Sequence, residues 1–212
     1  MGENLMSLAR SGGKYLKLFG DGKMVRSLPY LRRVAYLESH GTEYIDTGII
    51  ATSNDNISVT FKLVETRGMM FGSRAAFKSN AFYVYAVTNQ FQIGWGDFDG
   101  QTYLYGLEAG VKTTIRNNGG LFELVKNGHV ESSVNAGSYT FVQPVNFLLF
   151  TVNNNGVPRT DAVRMGIYEA IIGDRFLAYP VLDLSGRPAM YDEVSGQLFY
   201  NQGTGEFSWG EL

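Results

Sequence analysis

The chain has 212 residues, 44% apolar and 14% aromatic, enough for one large domain with a core of its own and too apolar for a disordered chain. Its 18 Lys and Arg against 20 Asp and Glu, a net charge of −2, argue against a nucleic-acid-binding face. With no cysteine there is no disulfide framework, thiolate metal site or cysteine nucleophile.

The first 33 residues stand apart. They hold seven Lys or Arg (Arg10, Lys14, Lys17, Lys23, Arg26, Arg32, Arg33) against Glu3 and Asp21, so residues 34–212 keep 11 basic against 18 acidic side chains. "MGENLMSLARSGGKYLKLFGDGK" has no apolar leader core, and no run approaches the ~20 apolar residues of a membrane span. Met6 stands where a myristoylation signal needs a hydroxyl, so Met1-Gly2 is not read as one. The expectation is a chain that works where it is made or leaves by a route other than general secretion. Tyr15–Phe19 and Lys23–Arg26 read as a hairpin around Gly20-Asp21-Gly22. Such a hairpin is marginal alone and must pack on something.

From Val34 onward the signals are β. "VAYLESHGTEYIDTGI" (34–49) offers two short strand-like pieces around Ser39-His40-Gly41. "ISVTFKLV" puts Ile57, Val59, Phe61 and Leu63 on one face and Ser58, Thr60 and Lys62 on the other. "LVETRG" holds at most one helical turn. Tyr83 and Tyr85 face opposite to Phe82, Val84 and Ala86, either as an exposed aromatic stripe or toward a second sheet. "FQIGWG" puts Phe91, Ile93 and Trp95 together, which favours the core for Trp95. "LFELVKNGHVESSV" is a hairpin about Asn127-Gly128, pairing Lys126 with His129, Val125 with Val130 and Leu121 with Val134. "VNFLLFTVN" is apolar on both faces and belongs centrally. "AVRMGIYEAII" and "RFLAYPVLDL" are strands joined by Gly173-Asp174, and "GRPAMYDEVSGQLFYNQGTGEFSWG" gives two or three more, with turns at 193–196 and 203–205. About a dozen strands at this spacing predict an all-β antiparallel sandwich with under about one tenth helix.

The opening "VAYLESHGTEYIDTGI" and the closing "YPVLDLSGRPAMYDEVSGQLFYNQGTGEF" resemble the two ends of a module of tailed-phage structural proteins and gut-bacterial surface proteins. The matching residues at the end are Pro180, Gly186, Met190-Tyr191-Asp192, Val194, Gly196, Phe199-Tyr200, Asn201, Gly203-Thr204-Gly205 and Phe207, with Ala189 where the module has glycine. The resemblance covers about residues 34–210. It implies a concanavalin A-like (laminin G-like) jelly roll at 34–212, with the first and last strands side by side; residues 1–33 lie outside it, and their basic excess is read as an attachment segment. Asp192 and Asn201 flank turns where a short polar side chain bonds the backbone, and Gly196, Gly203 and Gly205 tolerate positive φ.

Glucanases of this fold carry Glu-x-Asp-x-Glu on one strand face. The chain has no such triad; Asp97-Phe98-Asp99 has two of the three carboxylates, and Asp192-Glu193 point apart. A glycoside hydrolase is therefore the least favoured reading. No nucleophile elbow or phosphate loop is present. His40 and His129 are too far apart in sequence to favour an imidazole metal site. "GDFDGQ" (Asp97, Asp99, Gln101) and "NDN" (Asn54, Asp55, Asn56) are oxygen-rich enough for calcium but read first as Asx turns. A sugar site needs an aromatic platform beside planar polar groups, which selects Trp95, Asp97, Asp99 and Tyr103, with Asn153, Asn154 and Asn155 in a polar loop that also carries Arg159.

The expected function is a non-enzymatic virion structural protein, a fibre, tail or capsid-surface component that displays a lectin-like head for host attachment. The alternative is a carbohydrate-binding module or adhesin of a bacterial surface. Expected partners are copies of the chain (a trimer by analogy), other virion proteins through residues 1–33 and a cell-surface glycan, with no nucleic acid and no membrane.

Overall fold

The structure is a computed structural model that describes residues 8–11, 14–18, 24–76 and 79–212, with the side chains of 8–11, 14–18, 24–27 and 98–101 left aside. In chain order the strands are β1 (Leu8–Ser11), β2 (Lys14–Leu18), β3 (Met24–Ser27), β4 (Tyr30–Arg33), β5 (Tyr36–Ser39) and β6 (Ile45–Asp46). There follow β7 (Ile57–Leu63), β8 (Gly68–Arg74), β9 (Ala81–Val87), β10 (Gln90–Gly96), β11 (Phe98–Tyr105), β12 (Lys112–Asn118), β13 (Leu121–Lys126) and β14 (His129–Asn135). The last are β15 (Leu148–Leu149), β16 (Val152–Asn154), β17 (Val157–Pro158), β18 (Met165–Ile172), β19 (Phe176–Asp183), β20 (Pro188–Asp192), β21 (Gln197–Phe199) and β22 (Ser208–Gly210). No helix occurs among the described residues.

Two sheets face each other as a jelly-roll-type antiparallel sandwich. The larger runs β14-β13-β12-β7-β18-β19-β20-β21, and the smaller runs β11-β10-β9-β8-β15-β6. The larger sheet forks at β18, whose first half pairs with β5 and whose second half pairs with β19. The alternation of β7 does what its period predicts: Ile57, Val59, Phe61 and Leu63 are buried. Phe61 meets Phe71 and Phe91 of the opposite sheet, with ring centroids 6.3 and 5.8 Å away. Each such ring removed from water contributes roughly 2–3 kcal/mol.

The opening and closing motifs lie side by side. β22 pairs with β5, setting Ser208 opposite Glu38, Trp209 opposite Leu37 and Gly210 opposite Tyr36. Their loops interlock. Thr42 Oγ1 donates to the Thr204 carbonyl (2.9 Å), and Gln202 N–H donates to the Tyr44 carbonyl (2.9 Å). Asn201 Oδ1 accepts from the N–H groups of Tyr44 (3.1 Å) and Gly203 (2.8 Å), and its Nδ2 donates to the Gly205 carbonyl (2.9 Å). Gly196 and Gly205 do adopt positive φ, 71° and 81°. Gly203 does not. It is glycine because a Cβ there would overlap the Thr42 carbonyl oxygen.

Glu43 is the charged centre of this junction, with 3% of its surface exposed. Its Oε2 accepts from His40 N–H (2.8 Å), Ser39 Oγ (3.1 Å) and Thr42 N–H (3.4 Å). Burial pushes the Glu43 carboxyl up, but these hydrogen bonds outweigh it and hold the group below the usual glutamate range. A depressed folded-state pKa contributes stability above the unfolded value and loses it as pH falls through the folded one. We therefore expect the gap in urea midpoint between wild type and Glu43→Gln to be widest near neutral pH and to close as pH drops below about 4.3. A gap independent of pH would refute this role.

Four expectations need correction. Tyr30–Arg33 is not part of a separate segment: it pairs with β19, and Tyr30 packs on Tyr191 at 5.0 Å, so the sandwich begins before residue 34. The hairpin β2–β3 is present but gains β1, and these three strands form a sheet of their own; its turn, 20–22, lies outside the described residues. In β13–β14 the pairs Lys126–His129 and Val125–Val130 hold, but a bulge after Leu124 puts Phe122, not Leu121, opposite Val134. "VNFLLFTVN" is buried from Phe147 to Asn153 yet breaks into β15 and β16 at Phe150, whose φ of 70° turns the chain so that β16 runs parallel to β8.

Candidate functional site

The residues singled out in sequence do not converge. Trp95 is 1% exposed. Phe82, Phe122 and Phe141 meet it edge-on at 5.2, 5.4 and 4.8 Å, and its indole N–H donates to the Gly137 carbonyl at 2.9 Å. It is core, because it lies on the inward face of β10 with Phe91 and Ile93, and it cannot be a ligand platform. Asp97 is exposed at the β10–β11 turn and accepts from Asn80 N–H at 3.4 Å. Asp99 stands opposite Gly94 in register, and its side chain lies outside what is described. Tyr103 is half-buried on the outer face of the smaller sheet, in a cross-strand row with Gln92 and Tyr85. Tyr83 shares that face but is covered: only 3% exposed, it packs its ring where a Cβ on Gly94 would sit.

The asparagines serve the β16–β17 hairpin. Asn153 Oδ1 accepts from Gly156 N–H (2.8 Å) while its Nδ2 donates to the Asn146 carbonyl (3.0 Å). Asn154 Oδ1 accepts from Arg74 Nε (2.8 Å), and Asn155 is a left-handed turn residue with φ of 52°.

The "NDN" segment rims a concavity of about 740 Å³, beside Arg116, Asn118, Glu123 and Asp174, with no aromatic residue in its wall. Asp55 Oδ2 is already engaged by Thr52 N–H (2.7 Å), Thr52 Oγ1 (3.0 Å) and Arg175 Nη2 (2.6 Å). This is an Asx-type turn locked by an ion pair rather than a free calcium ligand. Among the described residues no three His, Asp or Glu side chains group as a metal site would require.

The other tryptophan is placed very differently. Trp209 is 41% exposed, although its cross-strand partner Leu37 is fully covered. Among the described residues β22 pairs only with β5, so Trp209 stands on the core side of an edge strand where cover runs out. It walls a cleft of about 350 Å³ with Arg187, Pro188, Asn201, Glu206 and Phe207.

Asp183 lies behind the lining and braces the loop that carries Arg187. Its Oδ1 accepts from the N–H groups of Ser185 (2.8 Å) and Arg187 (2.9 Å), and its Oδ2 accepts from Tyr200 Oη (3.0 Å). Burial pushes the Asp183 carboxyl up, yet these donors hold it below the ordinary range, so it stays ionised. The loop so fixed lays the Arg187 guanidinium over the Tyr200 ring, 4.4 Å from its centroid. The cleft is thus lined by a part-exposed indole, a braced cation and the Glu206 carboxylate, the groups that recognise a polyol by stacking and hydrogen bonding. Sequence reading missed Trp209 because the closing motif explains itself as structure and alternation with Phe207 predicts burial.

No family model matches the chain, and no curated protein matches it. Among solved structures, the chain is similar to the Ruminococcus gnavus IT-sialidase CBM40, at 13% identity over 64% of this chain and 88% of that one, with a TM-score of 0.40. It is also similar to a native heptameric SAP-like pentraxin from Limulus polyphemus, at 12% identity over 69% of this chain and 73% of that one, with a TM-score of 0.42.

Proposed function

We propose that the protein is a non-enzymatic, lectin-like glycan-binding module of the adhesin type, with its ligand seated on Trp209 between Arg187 and Glu206. The observation that carries this is the contrast between two tryptophans on the same sandwich, one fully packed and one held open in a polar cleft. An exposed indole gives up roughly 1–2 kcal/mol of burial unless something covers it. The head is displayed outside a bacterial cell or on a virion; the phage-like motifs at both ends of the sandwich support the second location. The basic segment before the sandwich is its attachment to neighbouring copies or to a host particle.

Trp209 emission should shift on titration with the glycan that an array identifies. Trp209→Ala should weaken binding by about tenfold or more, while Trp95→Phe should leave affinity intact. Incubation with the same polysaccharides should release no product. Binding undiminished in folded Trp209→Ala would remove this site.

A further inference from the structure

The outer face of the larger sheet carries a second built feature. Where β18 pairs with β7, the register shifts between Ile167 and Glu169, so Tyr168 is an extra residue opposite Thr60. A bulge breaks strict alternation. Here it brings both Tyr168 and Glu169 out half-buried, while Ile167 and Ala170 stay fully buried. With Thr60, Arg33 and Lys112 they line a cavity of about 360 Å³.

Its cations are unusual for a sandwich with an acid excess. Lys112 Nζ lies over the Tyr168 ring at 4.5 Å, and Lys62 Nζ over Tyr36 at 4.9 Å, the two rings being 5.3 Å apart. The Arg33 guanidinium covers Tyr179 at 3.7 Å. Among the described residues none of the three cations is ion-paired with a carboxylate, whereas Arg32, Arg116, Arg159 and Arg175 all are. Of the three, Arg33 and Lys112 line the cavity, and the tyrosine rings hold them there without neutralising them. Burial, then Tyr36 and Glu38, pushes the Tyr168 hydroxyl up, so it stays a neutral donor at physiological pH.

We propose that this cavity binds a carboxylate-bearing sugar, the uronate unit of an acidic polysaccharide. Its carboxylate sits between Arg33 and Lys112, and its hydroxyls meet Thr60, Tyr168 and Glu169. A neutral sugar would leave the cations unused, and a bare anion would leave Glu169 facing like charge. The site is separate from the Trp209 cleft and stands without it.

The test titrates methyl β-D-glucuronide, methyl β-D-glucoside and acetate into the full chain by calorimetry, at low and raised salt. The glucuronide should bind about tenfold more tightly than the glucoside or acetate and weaken as salt rises. Lys112→Met and Arg33→Gln should each reduce its affinity about fivefold or more, and Trp209→Ala should leave it unchanged. Three results would overturn the proposal: no glucuronide binding, equal affinity for glucoside or acetate, or binding unchanged in both folded cation variants. Loss of glucuronide binding in Trp209→Ala would overturn it too, by moving the ligand to the other cleft.

Discussion

Replacing Gly203 by alanine should leave little folded protein, with a loss of at least about 4 kcal/mol, in the range reserved for severe steric or network damage. The cause is contact, not backbone conformation, since Gly203 lies outside the left-handed region. Its Cβ would fall well inside van der Waals distance of the Thr42 carbonyl oxygen and press on Tyr44 Cδ1 at 3.0 Å. Both neighbours are fixed: Thr42 Oγ1 donates to the Thr204 carbonyl, and the Tyr44 N–H and carbonyl are bonded to Asn201 and Gln202, beside Gly203. The two loops cannot separate without breaking those bonds and unseating Phe207, whose ring packs on Phe150 at 4.7 Å. Gly110→Ala is the matched control. It has φ of 80° and nothing within 4 Å of a Cβ, so it should cost only about 1–2 kcal/mol of strain. Urea denaturation of both variants reads the difference. Equal losses would mean that the interlock of the two motifs carries no special stability.

What could be read from the sequence was whatever is local and periodic. β7 shows its buried face because every second residue is apolar, and Asn127-Gly128 names its hairpin because both residues take positive φ, 49° and 80°. β8, "GMMFGSR", shows no such pattern. All seven residues are buried, because Val152 and Tyr83 cover the face that alternation would leave to water. Its Gly72 looks like a strand breaker, yet a Cβ there would strike the backbone of β9. The candidate site failed for a related reason. Trp95 shares its strand face with Ile93 and Phe91, and Trp209 shares its face with Phe207, so both patterns say inward. Only the fold shows that one strand is paired on both sides and the other is an edge. The bulge at Tyr168 is equally silent, since nothing in "GIYEAII" marks it until the partner strand is known.

Asp192 shows how much of the closing motif is structural, and its removal should be nearly as damaging as the glycine change. The side chain is 1% exposed. Oδ1 accepts from Leu177 N–H (2.8 Å) across the strand pair and from Val194 N–H (3.2 Å), and Oδ2 accepts from Ser195 N–H (2.9 Å). One carboxylate therefore satisfies three backbone donors and ties β19 to the turn between β20 and β21. Asp192→Ala strands all three donors. At about 1–3 kcal/mol for each buried group left unpaired, with part recovered by water entering at the exposed turn, the expected loss is about 3–5 kcal/mol. Asp192→Asn keeps one acceptor oxygen for Leu177 and Val194 but sets an amide donor against Ser195 N–H, so it should fall between wild type and alanine. Amide exchange supplies the local readout: in both variants Ser195 N–H should lose protection, but only the alanine variant should also expose Leu177 N–H. An alanine variant within about 1 kcal/mol of wild type, with Leu177 still protected, would show that water can replace the carboxylate and that the aspartate is not what holds this turn.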